Sequence, residues 1–396
     1  MRILMYTGYY LPYVSGMTIY VRRLAEGLVR RGHTVTVLCC RHDPKLPAVA
    51  VENGVRIERS PVILTLGKGL VAPLMWRDQM RLLADHDVFH RHVPGMGDAW
   101  LSSRIAKSMG KPVVFTHHCD LYLPFGVVND AVNAILNTEL RFAGALADLI
   151  VSYSDDYVAY SRFLSHFREK VRTVFPPIAV GAADSERASA WRRELGLASV
   201  PVVGFAGRFA ADKGGDVLLR AVPRLRELVP GAHLVFAGEF ANVPGERFYH
   251  DSQALLAPVR DSVTFLGNVV PDRMPDFYRM CDVVTVPSTN STESWGMWQN
   301  ESMLCGTPVV TSDLPGVRVS IRTTGMGLLV RPHDWRGLAE ALATVLAERD
   351  RFRAPAGTHR DPRIAFDPDR TFDAYERWYA ELLSGRTPGY ATEPGA

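Results

Sequence analysis

Cysteine is scarce in this chain of 396 residues: five, an odd number, at Cys39, Cys40, Cys119, Cys281 and Cys305, with no C-x-x-C spacing. That excludes a disulfide framework and the usual zinc-binding cysteine pairs, and it fits a reducing, cytoplasmic compartment. Charge of one sign is lacking too. Lys and Arg number 45 against 42 Asp and Glu, a net charge of +3, too little for a protein held on nucleic acid by a basic field. No apolar run approaches the ~18–20 residues of a membrane span. Charge interrupts the longest of them, as at Lys68, and the run Ile3-Leu4-Met5-Tyr6 is too short for a signal-peptide core. No G-x-G-x-x-G fingerprint occurs, which argues against a nicotinamide enzyme. What is present is an ordinary globular composition, 47% hydrophobic and 22% charged, long enough for two domains of ~100–200 residues each.

Short apolar runs alternate with helical patterns. Strands are expected at Ile3–Thr7, Thr34–Cys40, Asp87–His90, Pro112–Thr116, Leu149–Tyr153 and Val171–Phe175. A second set is expected at Val202–Ala206, His233–Ala237, Val263–Leu266, Asp282–Val286, Pro308–Thr311 and Gly327–Val330. Brief, nearly continuous hydrophobic strands separated by helices indicate parallel sheets covered on both faces, so the fold class is α/β with two doubly wound domains. Between the first two strands, Val21, Leu24, Ala25, Leu28 and Val29 recur at helical spacing, and Gly32 ends the helix. Pro176-Pro177 breaks the pattern within Phe175–Ser199, where the domain boundary is expected. A last helix, about Thr371–Leu383, carries Phe372, Tyr375, Trp378, Tyr379 and Leu382 on one side.

The strongest chemical signal is Glu293-Ser-Trp-Gly-Met-Trp-Gln-Asn-Glu301, which leaves a strand and enters a helix. Eight helical residues rise ~12 Å, so the two carboxylates cannot share a proton but can hold two ends of an extended ligand. Between them the amides of Trp295, Gly296 and Met297, at a helix start, suit phosphate oxygens. The plainer reading makes Glu293 a helix-start carboxylate and Glu301 a solvated one. The second signal is Arg208…Lys213-Gly-Gly215, at the end of another strand. Arg208 can grip a diphosphate bidentately and Lys213 acts as a point charge, though both could be surface cations on a loop. In the first half, Gly16 stands near the first helix start, where it either lets a ligand approach or serves a turn.

Thr116-His117-His118 ends a strand, and His90 and His92 sit similarly. A histidine at a strand's carboxyl end is expected to face the ligand crevice more often than the core, and for each of these a satisfied structural histidine stands as an equal alternative to a catalytic one. These four lie on separate runs without i, i+4 pairing, so no metal site is expected.

Together these motifs resemble the retaining GT-B glycosyltransferases of family four, over roughly residues 1–384. The resemblance rests on Pro12…Gly16, Arg31-Gly-His-Thr-Val-Thr-Val-Leu38, Thr116-His117-His118 and Gly207-Arg208…Lys213-Gly214. It rests also on Phe265-Leu-Gly-Asn-Val269, Pro287-Ser288 before the E-x7-E pair, and Gly306-Thr-Pro-Val-Val310. It implies two Rossmann-like domains facing a central cleft: an acceptor-binding one over 1–178 and a nucleotide-sugar-binding one over 179–365. A crossover helix at 366–384 would pack back on the first, and a disordered tail would follow at 385–396.

Carried over by residue, the resemblance makes Arg208 and Lys213 the clamp on the donor diphosphate. Glu301 would take the ribose hydroxyls, and Glu293 the hydroxyls of the transferred sugar, with the amides of Trp295, Gly296 and Met297 nearby. Val269 would join the donor site, Gly16 would approach it from the other domain, and His118 would contact the donor sugar and matter for catalysis. No cofactor or metal is required, since the nucleotide-sugar, by default a UDP-sugar, is a substrate. The acceptor is a hydroxyl of a glycan, a lipid-linked molecule or a small metabolite. Two departures stand out: Ser15-Gly16 where relatives have two glycines, and Trp295 where they commonly have Phe, a bulkier ring expected beside the donor. The apolar run Pro61–Trp76 reads as a buried loop and helix, with an acceptor wall or a peripheral membrane contact as alternatives. A GT-B epimerase, a phosphorylase and a non-catalytic nucleotide-sugar-binding partner are the rival readings.

Overall fold

The computed structural model describes residues 1–66, 69–95, 97–121, 126–241, 247–290, 292–354 and 356–390. The chain divides into two compact units. One is Met1–Pro177 joined by the chain from Pro368, and the other is Ile178–Asp367.

The first unit carries β1 (Arg2–Tyr6), β2 (Thr34–Arg41), β3 (Val49–Glu52), β4 (Val55–Pro61), β5 (Leu64–Leu66) and β6 (Gly69–Val71). It continues with β7 (Val88–Val93), β8 (Val113–His117), β9 (Leu149–Ser152) and β10 (Val171–Thr173). The main sheet runs β10-β9-β8-β7-β1-β2-β4-β3. Every pairing is parallel except β3 with β4. Chain order reverses between β1 and β7, which makes that gap, at the carboxyl ends, the crevice of a doubly wound sheet. The hairpin β3–β4 is not among the strands expected from the sequence, although Asn53-Gly54, both at positive φ (49° and 80°), is the signature of a two-residue hairpin turn; nor is the small antiparallel β5–β6 pair. At the edge of the sheet β3 is largely exposed although it begins Val49-Ala-Val51.

The first helix, Gly16–Arg30, starts at a Ser15–Thr18 capping box, and buries Tyr20, Val21, Leu24, Ala25 and Leu28 against the sheet. On it lies the C-terminal helix, Pro368–Leu383, which buries Phe372, Tyr375, Trp378 and Tyr379. The two come so close that a Cβ on Gly27 would stand 2.2 Å from the Phe372 ring. The stretch after this helix differs from the expected disorder as far as Tyr390. Trp378 donates from Nε1 to Gly389 O (2.7 Å), and Arg172 donates to Pro388 O (2.8 Å) while stacking over Tyr390. Residues 391–396 lie outside the described residues.

In the run Pro61–Trp76, Leu70 and Met75 are buried while Ile63, Leu64, Leu74 and Trp76 are exposed, so it is only partly the buried loop expected. Lys68 lies outside the described residues. Among the described residues no helix is long and apolar enough to cross a membrane.

The second unit has β11 (Val202–Ala206), β12 (His233–Ala237), β13 (Val263–Gly267), β14 (Val283–Val286), β15 (Val309–Ser312) and β16 (Gly327–Val330). They form one parallel sheet in the order β13-β12-β11-β14-β15-β16. Its core is aliphatic and phenylalanine-rich, with Phe205, Phe209 and Phe236 fully buried and Phe236 stacked on Phe265 at 4.8 Å. Here chain order reverses between β11 and β14. The two charged motifs follow those two strands, so the topology sets them side by side.

Candidate functional site

In the second unit the loop after β11 carries Arg208 and Lys213, and the loop after β14 carries Glu293. Lys213 Nζ donates to Glu293 Oε2, and Ser288 Oγ donates to the same oxygen at 3.4 Å. Asp212 lies 3.6 Å from Arg208 Nη2 and 3.9 Å from Lys213 Nζ. Burial opposes the Lys213 charge, but Glu293 and Asp212 outweigh it and hold the ammonium above its ordinary pKa. Arg208, Lys213 and Glu293 thus form one charged group at the switch point of the sheet.

Main chain ties the two loops together. Thr289 N donates to Asp212 O (3.0 Å) and Thr289 Oγ1 to Ala211 O (3.1 Å). Gly214, at φ 70°, opens the helix Gly215–Leu228, and a Cβ there would stand 2.0 Å from Pro287 O. Only glycine permits that contact.

Gly296 is the N-cap of the helix Met297–Leu304, and Glu301 lies one turn in. Tyr278 donates from its hydroxyl to Glu301 Oε2 at 2.9 Å, which orients that carboxylate. Val269 lies just past β13, beside Asn268, which donates to Glu239 (3.1 Å). The Trp295 ring is a correction to the sequence reading. It is 1% exposed, turned inward against Phe366, and its Nε1 donates to Asn300 Oδ1 at 2.7 Å. A large apolar ring with one polar atom finds both packing and a partner there.

Gly16 and His118 belong to the first unit. Gly16 needs no positive φ, and a Cβ on it would meet nothing within 4 Å, so no turn requires it. His90, His92, His117 and His118, expected at the ligand crevice, are all 5% exposed or less, so none of them is a free surface side chain. His90 and His92 alternate on β7 and point to one face, and His118 follows β8 beside them. His92 Nδ1 lies 3.0 Å from His118 Nε2, and His118 Nδ1 is hydrogen-bonded to the Tyr153 hydroxyl. Beneath them His90 joins Thr116 (2.8 Å) and the Tyr379 hydroxyl (2.7 Å), while Tyr375 joins Thr116 and Tyr20. Burial first, and neighbouring histidines second, push His118 and His92 well below the ordinary imidazole pKa and His90 down to about 3. All three are neutral. No group of three or more potential metal ligands stands among the described residues.

Sequence reasoning missed Asp212, Tyr278 and Tyr153. Tyr153 carried a usable signal, since it directly follows a strand's carboxyl end as His118 does. Tyr278 is brought to Glu301 by packing between helices, which no local pattern records.

Comparison with known proteins matches residues 14–180 to the glycosyltransferase family 4 model and residues 188–357 to glycosyl transferases group 1. A D-inositol 3-phosphate glycosyltransferase of Stackebrandtia nassauensis is 30% identical over 96% of this chain and 90% of its own length. Among solved structures, sucrose-phosphate synthase from Thermosynechococcus elongatus superposes with a TM-score of 0.75 at 21% identity. It covers 97% of this chain and 99% of its own. HepE from Anabaena, in complex with UDP-glucose, has a TM-score of 0.73 at 19% identity, covering 97% and 100%.

Proposed function

This chain belongs to the group 1, family 4 glycosyltransferases and has their GT-B fold; on that premise we propose that it moves a sugar from a nucleotide diphosphate, by default UDP, to an acceptor hydroxyl with retention of configuration and no resident metal. The observation that carries this reading is the Arg208–Lys213–Glu293 group at the sheet's switch point. Arg208 takes the diphosphate in a bidentate grip. Lys213 has three donors, so it can keep Glu293 and still reach a phosphate oxygen. As the glycosidic bond lengthens, the leaving diphosphate gains charge, and two preplaced cations stabilise that state more than the ground state. They supply the charge that a metal would otherwise bring.

Glu293 holds hydroxyls of the transferred sugar, and Glu301, oriented by Tyr278, takes the ribose. Val269 and the main chain of Trp295, Gly296 and Met297 complete the donor contacts. Gly16 gives the ligand close approach at the first unit, and His118 meets the sugar as a neutral ring. The departing phosphate helps deprotonate the acceptor. The relatives named for D-inositol 3-phosphate make a cyclitol phosphate the first acceptor to screen.

The test is thermal stability with UDP, GDP, ADP and TDP, each beside Arg208→Ala. A ligand at ~100 times its Kd adds about 2.7 kcal/mol. One diphosphate should raise the Tm of the wild type and leave the variant unmoved. No stabilisation by any of them would overturn the donor site.

A further inference from the structure

Three neighbouring strands of the first unit end in a row of linked side chains. His92 is the penultimate residue of β7, His118 the first residue after β8, and Tyr153 the first after β9. The His118 main chain is fixed as well, since its N–H donates to Val93 O at 2.8 Å. Both nitrogens of the His118 ring are engaged, Nε2 with His92 Nδ1 at 3.0 Å and Nδ1 with the Tyr153 hydroxyl. The ring of Tyr20 stands edge-on to it at 5.0 Å.

A neutral imidazole has one donor and one acceptor nitrogen. The His92–His118 contact is therefore a single N–H···N bond, and the tautomer of either ring dictates that of the other. If Tyr153 donates to Nδ1, His118 carries its proton on Nε2 and donates it to His92. If His92 donates instead, His118 carries its proton on Nδ1 and gives it to Tyr153. No third arrangement satisfies both bonds.

The far nitrogen, His92 Nε2, is buried and meets no hydrogen-bond partner among the described residues. A buried polar atom left unpaired is costly, and in a native structure it asks for an explanation. Packing alone does not supply one, because an apolar ring would fill the space between His90, 4.4 Å away, and His118, 5.2 Å away, without that cost. What only His92 provides is the Nδ1 contact.

We propose that His92 and Tyr153 are positioning residues for His118, locking one tautomer and one orientation of its ring for the sugar-binding role it has in the reading above, on which this inference rests. His118 then acts as a fixed dipole rather than as a base that takes up a proton.

The test compares His92→Phe, His92→Asn, His92→Gln and the near-isosteric Tyr153→Phe with His118→Ala, in the full chain. Initial rates are measured with the nucleotide-sugar that gives turnover, and the imidazole nitrogen-15 spectrum is recorded for each. We expect His92→Phe to lower kcat at least tenfold with donor KM within about threefold. His92→Asn sets an amide where Nδ1 stood and should recover most of the loss. His92→Gln sets it near the Nε2 position and should not. Tyr153→Phe should lower kcat severalfold while folding normally. The His118 signals should report one neutral tautomer in the wild type and a mixture in His92→Phe.

Wild-type kcat in both His92→Phe and Tyr153→Phe overturns the proposal, as does rescue by Gln equal to that by Asn, or an unchanged His118 spectrum in His92→Phe. These outcomes differ from failure of the underlying reading, in which His118→Ala itself turns over like the wild type. In that case the positioning role falls with it.

Discussion

The two units share a doubly wound topology yet differ in the polar groups near the carboxyl ends of their sheets. In the first, beside buried ion pairs such as Arg91–Asp98, a cluster of titratable side chains lies inside and uncharged: His90, His92, His118, Tyr20, Tyr375 and Tyr379 bond to one another or to Thr116 and Tyr153. In the second, the main core is aliphatic and aromatic, ion pairs such as Arg187–Asp276 and Arg192–Asp282 lie elsewhere, and the polar group at the switch point is ionic, in Arg208, Asp212, Lys213 and Glu293. Buried neutral networks bring directional bonds and fix geometry. Preplaced charges at a loop attract an anion whatever its exact shape. The cluster in the first unit thus holds a shape, and the one at the switch point of the second holds a charge.

Acid should break this comparison first. Because the His90, His92 and His118 pKa values are depressed in the fold, the unfolded chain takes up protons that the folded unit cannot. Their contribution is intact above the ordinary imidazole value of ~6.5 and is lost as pH falls from there toward the folded values. Three such groups cost on the order of 4 kcal/mol per pH unit below about pH 6, against a total stability of roughly 5–15 kcal/mol. In the second unit only His233 is similarly lowered. Hydrogen exchange on the intact chain, resolved by peptide, should show β7 and β8 losing protection before β11 and β14 as pH drops from 7 to 4. Simultaneous loss, or loss from β11 and β14 first, would break the contrast.

The same contrast governs what could be read from the sequence. Strands β11, β12 and β16 match their expected bounds residue for residue, because a strand buried on both faces is a plain apolar run between breakers. The ionic loops were legible for a related reason: charges beside glycines after a strand form a local pattern. The histidine network was not, since its partners Tyr375 and Tyr379 lie more than 280 residues from His90 in sequence. Periodicity placed those tyrosines on the buried side of a helix but could not say what they meet. The exposed edge strand β3 was legible but unread, since Asn53-Gly54 after Val49-Ala-Val51 is a local turn signal.

Two glycines, each at the start of the α-helix that follows its unit's first strand, sharpen the comparison. Gly214 has φ 70° and no room for a Cβ beside Pro287 O, whereas Gly16 has open space. Gly214→Ala should therefore cost on the order of 3 kcal/mol, with backbone strain and a clash that no rotamer relieves, and should part the two ionic loops. Gly16→Ala should change stability by only a few tenths of a kcal/mol. Chemical denaturation measures both. If Gly16→Ala is as stable as wild type yet slow in transfer, close approach of a ligand explains the glycine; if its transfer is normal, Gly16 has no such part.

A smaller effect than that of Gly214→Ala concerns Trp295, a bulky ring in the charged loop region of the second unit that faces inward. Trp295→Phe keeps most of the buried ring but removes the Nε1–H that Asn300 Oδ1 accepts, while Asn300 keeps its bond to Ser320 at 3.0 Å. The loss of one buried hydrogen bond and a little volume should cost roughly 1–2 kcal/mol. In a unit of this size that lowers the Tm by a few degrees. Because the ring does not reach the surface of the loop, the affinity for the stabilising nucleotide diphosphate should stay within about twofold, measured by calorimetry. A tenfold loss of affinity with little change in Tm would mean that the indole touches the ligand. The division between an apolar interior and an ionic surface in this unit would then fail at the residue where it is most exposed to test.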